Sequence, residues 1–233
     1  MENYSTATTR VINSSAVATL FKSTYLQMGA ALVITALTAF FLAGPQQFIE
    51  LILTSRSVMW MAILAEFGVV IWLSSRLWHM SMSAATLLFI LYSVLNGVTM
   101  SVIFMFYDPM AIAVTFFVTA GMFITMSLIG YVTRMNLSKL GSIFMMFLVG
   151  IIIASVVNIF VASGPLYWVI TYLGVIVFVG LTAYDTNKLK HIYTEYGAAD
   201  ENGHKLALMG ALTLYLDFVN LFLFLLRIFG NRR

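Results

Sequence analysis

The sequence predicts an all-α membrane protein with seven transmembrane helices, and three observations carry that reading. The chain has 233 residues, of which 61% are hydrophobic and only 9% charged, whereas a soluble domain carries about 25% charged residues. Its apolar stretches are unbroken rather than alternating, which suits helices and not a transmembrane β-barrel. Seven such stretches each come close to the ~20 residues needed to cross a hydrocarbon core of ~30 Å. Mean hydropathy is +0.98, which leaves almost no room for a soluble domain.

Residues 1–22 form a polar, Ser/Thr-rich tail, expected to be loose or a short interfacial helix, and residues 23–233 form one transmembrane domain. The first span covers about residues 25–43 and stops at Gly44-Pro45. After a short connection from Gln46 to Arg56, the second span runs over 57–73 with Glu66 near its middle, and Arg76 follows its end. The third, 84–107, contains Asn96-Gly97. Asp108-Pro109 makes a tight turn, because proline favours the first helical position. The fourth span, 110–132, is followed by a basic turn from Arg134 to Lys139. The fifth covers 140–161 with Asn158 near its end, and Ser163-Gly164-Pro165 breaks it. The sixth, 166–184, ends in Asp185, and residues 186–204 are expected to be a charged loop. The seventh is Lys205 to Gly230, KLALMGALTLYLDFVNLFLFLLRIFG. Small residues at Gly29, Ala30, Ala31, Gly121, Gly150 and Ala154 would let helices pack closely.

Loop charge sets the expected orientation. With the N-terminus in the cytoplasm, the inner segments hold Arg10, Lys22, Arg76, Arg134, Lys139, Lys188, Lys190 and Lys205, against Arg56 alone in the outer connections. Arg232 and Arg233 pull the other way, so the last stretch either crosses despite them or re-enters and returns; crossing is favoured. The chain should sit in a bacterial inner membrane, and no cleavable leader is expected at its polar start.

Composition also excludes functions. There are no cysteines, hence no disulfides or thiolate metal sites. His79, His191 and His204 fall in predicted loops without the spacing of a metal motif. The 15 methionines read as packing and lipid-facing filler. A net charge of +3 reflects basic loops, not nucleic-acid binding. The sequence contains no HExxH, GxSxG or membrane Ser/His pair, so no catalytic residue is assigned.

The informative groups are the charges within the apolar stretches. A carboxylate at membrane depth costs about 2.5–3.5 kcal/mol or more, so Asp217 needs a partner. Asp217, Asn220, Phe224 and Arg227 share one face of the seventh helix. That face should look into the bundle, leaving Leu and Phe opposite for lipid or packing. The helix is then either central or an edge helix with one polar stripe turned inward. Asp185 is either a surface aspartate balanced by Lys188 or an inward partner of Asp217. Two carboxylates a few ångströms apart in low dielectric cannot readily both ionise and would share a proton. Such a latch closes while the proton is shared. It opens by repulsion, or by capture of one member by Arg76 or Arg227. Glu66 is either a neutral acid bonded to a neighbour such as Asn96 or Asn158, or a carboxylate lining an ion path, where its oxygens suit Ca2+.

LTAYDTNKLKH, followed about two dozen residues later by LYLDFVNLFLFLLRIFG, closely resembles the signature of the Bax inhibitor-1 family (transmembrane Bax inhibitor motif proteins). The resemblance to its bacterial members covers nearly the whole chain. It implies seven helices with the last enclosed by the other six, and a pH-sensitive Ca2+ leak. The family's paired aspartates map onto Asp185 and Asp217, its late arginine onto Arg227, its second-helix glutamate onto Glu66 and its second-helix arginine onto Arg76. Asp185, Asp217 and Glu66 are then the expected Ca2+ contacts, with Asn220 on the ion path.

Three functions fit these residues. The first is a passive cation channel gated by the aspartate pair. The second is a proton-coupled cation exchanger using the same groups. The third is a non-transporting regulator that binds a membrane protease or another membrane protein.

Overall fold

The computed structural model describes residues 2–44, 56–135, 137–196 and 200–230. Parts of the expected connection from Gln46 to Arg56, and Arg232 and Arg233, lie outside the described residues. Among the described residues, seven helices are long and apolar enough to cross a membrane: Ser15–Leu42, Ser57–His79, Met82–Phe106, Pro109–Val132, Ser138–Val161, Gly164–Tyr196 and Glu201–Phe229. These are the seven spans in the expected order. Helix already begins at Glu2, so the N-terminal tail is helical and continuous with the first span.

Local chemistry explains the boundaries. Asp108 caps the fourth span by accepting from the Met110 amide at 2.8 Å, with Pro109 in the first turn. The fifth ends where Ala162 adopts a left-handed conformation, φ 51°. Asn158 Oδ1 holds that end by accepting from the Ser163 amide at 2.9 Å. Asn158 therefore serves as a helix stop.

The largest departure from expectation concerns the charged loop. The sixth helix does not end at Asp185 but continues to Tyr196, and the seventh begins at Glu201. The density of charge masks an amphipathic helix: Leu189 and Tyr193, four residues apart, are buried while Lys188 and His191 are exposed. His79 likewise lies in a short 3-10 turn and His204 within the seventh helix, not in loops.

The chain divides into two compact units. One comprises residues 1–106 with 192–215, the other 107–191 with 216–232. In the first, the first and third spans approach closely at Gly97, where a Cβ would lie 2.7 Å from the Thr35 carbonyl oxygen. Tyr193 is fully buried; its hydroxyl is 2.7 Å from Thr24 Oγ1 and donates to the Leu206 carbonyl at 3.3 Å. Tyr215 packs edge-on to Phe89 and Tyr92. Its hydroxyl is 2.7 Å from Thr35 Oγ1 and donates to Asn96 Oδ1 at 3.0 Å.

In the second unit a core of Ile151, Ile170, Val177, Phe178, Leu181, Leu221, Phe224 and Leu225 joins the fifth, sixth and seventh spans. Several glycines set its close contacts, among them Gly130, Gly141 and Gly180. A Cβ at Gly130 would strike the Ala183 backbone, one at Gly141 the Tyr184 ring, and one at Gly180 the Phe144 ring. The small residues singled out from sequence are different ones. A Cβ at Gly29, Gly121 or Gly150 would meet nothing within 4 Å.

The seventh span is the most buried of the seven, at 72% of its most apolar window. Val219, Phe222 and Leu226, on the side away from Asp217, are all buried, so that side packs against protein instead of facing lipid. The helix is unbroken over 29 residues, which fits crossing and not re-entry.

Candidate functional site: a buried aspartate pair

Asp217 lies in the second unit on the seventh span and is only 5% exposed. Its carboxyl group lies beside that of Asp185 on the sixth span, near enough for the two to interact. Among the described residues, no donor other than a proton on this pair reaches Asp217 Oδ2. Two ionised carboxylates repel in low dielectric, whereas a proton on one carboxyl can be donated to the oxygen of the other. Lys188, one turn on, acts on Asp185 electrostatically; it is exposed, with its ammonium 5.9 Å from the Tyr184 ring centroid.

The segment around Asp185 is fixed by the fourth span. Thr186 Oγ1 donates to Ser127 Oγ at 3.4 Å, Asn187 Nδ2 to the Gly130 carbonyl at 3.1 Å, and Lys190 Nζ to the Tyr131 carbonyl at 2.7 Å. The contact of Gly130 with the Ala183 backbone brings the two helices close enough for these bonds. Sequence reading missed this cradle. The signal was present in Thr186 and Asn187, polar residues on a helix face where Asp185 alone drew notice.

The other candidates are distributed. Arg227 does not reach the pair. It lies ten residues after Asp217 on the same helix, about 15 Å along the axis. Its guanidinium is 5.4 Å from the Tyr167 ring centroid and 5.1 Å from that of Phe224. Asn220 turns its amide onto its own helix, donating to the Leu216 carbonyl at 2.8 Å. In the first unit, Glu66 Oε1 accepts from Thr99 Oγ1 at 2.7 Å, and Thr99 also donates to the Asn96 carbonyl. The neighbour bonded to Glu66 is thus a threonine and not an asparagine side chain. Arg76 is exposed in the last turn of its helix. Among the described residues no three His, Asp or Glu side chains gather as a metal-binding group.

Fold and site together define a polytopic helical membrane protein with a carboxyl pair buried between two of its spans. The family model described as inhibitor of apoptosis-promoting Bax1 matches residues 17–233. An Escherichia coli K12 protein, inner membrane protein YbhL, is 49% identical over 216 residues, 92% of each chain. A Borreliella burgdorferi protein is 45% identical over 88% of this chain and 89% of its own. A Streptococcus pyogenes membrane protein is 32% identical over 91% and 92%. The chain belongs to the Bax inhibitor-1 family and is a multi-pass inner membrane protein.

Proposed function

We propose that the protein is a pH-sensitive cation leak, with Ca2+ as the transported ion, gated by Asp185 and Asp217. The observation that carries the proposal is the juxtaposition of the two carboxyl groups at a site where, among the described residues, no donor reaches Asp217 Oδ2. A shared proton holds the two helices together there. Removing it leaves two like charges facing each other in low dielectric, a repulsion that favours separation. Closure therefore belongs to low pH and opening to higher pH. Once parted, the carboxylates present hard oxygen ligands to a passing cation. Glu66 serves the first unit as a second acidic group along the ion's route. The burial of the seventh span supports its role as a central post, with the N-terminus cytoplasmic as the loop charges favour.

The test is Ca2+ entry into proteoliposomes containing the purified protein, across a pH series, with internal pH recorded at the same time. The expected result is flux that rises with pH without a fixed proton countermovement. Stoichiometric proton movement would instead make the protein an exchanger, and a flat pH profile would sink the gating claim.

A further inference from the structure

The fourth span carries a feature that the aspartate pair does not use. Its buried face is formed by Thr115, Thr119, Phe123, Ser127 and Gly130, three of them hydroxyl residues on one line of the helix. Thr115 and Thr119 are fully buried. Each donates its hydroxyl proton to the carbonyl four residues back, at 2.7 Å in both cases. Their oxygens are left with lone pairs only, the arrangement that serves a cation and not an anion. The face looks toward the seventh span, because Phe116 and Phe123, which flank Thr119 at three and four residues, both pack edge-on against Phe218. At its inner end Ser127 takes the hydrogen bond from Thr186, the residue after Asp185. Asp217 Oδ2, which no donor among the described residues reaches, belongs to the residue directly before Phe218.

The line is interrupted once. Between Thr119 and Ser127, one turn from each, stands Phe123, 4% exposed, with its ring centroid 5.5 Å from that of Phe218. Apolar rings at a narrow point exclude water, and hydrophobic constrictions of this kind gate pores by dewetting.

We infer that the hydroxyl face of the fourth span, Thr115, Thr119 and Ser127, lines the route of a partly hydrated cation through the second unit, and that the Phe123–Phe218 contact is its constriction. The inference rests on the leak reading and adds the lining and the barrier to it. Because Phe218 follows Asp217 in the chain, parting of the aspartates displaces the ring that closes the path.

The absence of cysteine provides a clean background for the test. Thr119→Cys and, as an outward-facing control, Phe117→Cys are reconstituted and exposed to a charged, membrane-impermeant methanethiosulfonate reagent. The reagent modifies only thiolates in contact with water. The expected result is modification of Thr119→Cys and not of Phe117→Cys. Adding Phe123→Ala to Thr119→Cys should speed modification, and Phe123→Ala alone should raise Ca2+ flux; Phe123→Leu is the milder variant should the alanine protein fail to fold. Thr119→Cys reacting no faster than Phe117→Cys in every background overturns the path. Ca2+ flux without modification also overturns it, while sparing the leak. Modification without Ca2+ flux supports the path and counts against Ca2+ as the ion.

Discussion

Arg227 and Asp217 share one face of the last helix yet are separated by about 15 Å along its axis, and the guanidinium is held against Tyr167 and Phe224 instead of against a carboxylate. The arginine thus works at the far end of the helix from the start of the seventh span. Arg227→Gln should lose a cation–π contact of about 0.5–2 kcal/mol and lower the thermal stability of the detergent-solubilised protein. It should leave the pH dependence of flux unchanged. A shifted pH profile in this variant would place Arg227 back in the latch.

Gly130 tests the docking of the fourth span on the sixth. Its missing Cβ would strike the Ala183 backbone, which no side-chain rotation can relieve. Gly130→Ala should therefore cost about 1–3 kcal/mol and strain the cradle that holds Asp185. Gly121→Ala, on the same helix with open space around it, should be neutral or gain up to about 1 kcal/mol in helix propensity. Parallel unfolding curves for the two variants check the contrast.

Tyr215→Phe addresses the first unit. It removes the hydroxyl that donates to Asn96 Oδ1 and bonds Thr35, leaving a buried amide oxygen without its donor. The expected loss is about 1–3 kcal/mol, read as a lower unfolding temperature. A stability equal to that of the wild type would mean that water replaces the hydroxyl.

The seven spans were legible because membrane helices need length and unbroken apolarity, and both are one-dimensional properties. Pro109 and Asp108 marked a helix start for the same reason: their chemistry acts within a few residues. The residues alone left Asp185 open between a surface aspartate and a partner of Asp217, and the resemblance to the family supplied the pairing. Residues 186–196 were misread because their charge density resembles a loop. Only the burial of Leu189 and Tyr193 reveals the helix, and that burial depends on partners distant in sequence. The close-packed glycines were misjudged on similar grounds. Clusters such as Gly29-Ala30-Ala31 are visible in sequence, but what matters is the element across from each glycine. Gly130, Gly141 and Gly180 are isolated in sequence and crowded in space. Arg227 was assigned to the aspartates because charge suggests charge, whereas its partners are aromatic rings.

The central claim is that a proton shared between Asp185 and Asp217 closes the path. Asp217→Asn tests it most directly, because an amide N–H can donate to the Asp185 carboxylate at every pH and so keeps the contact without a titrating proton. The measurement is Ca2+ flux into proteoliposomes from acid to alkaline pH, wild type beside Asp217→Asn. The account predicts that wild-type flux rises with pH while the variant remains at the low acid level throughout. A variant whose flux rises with pH just as the wild type's does would contradict it.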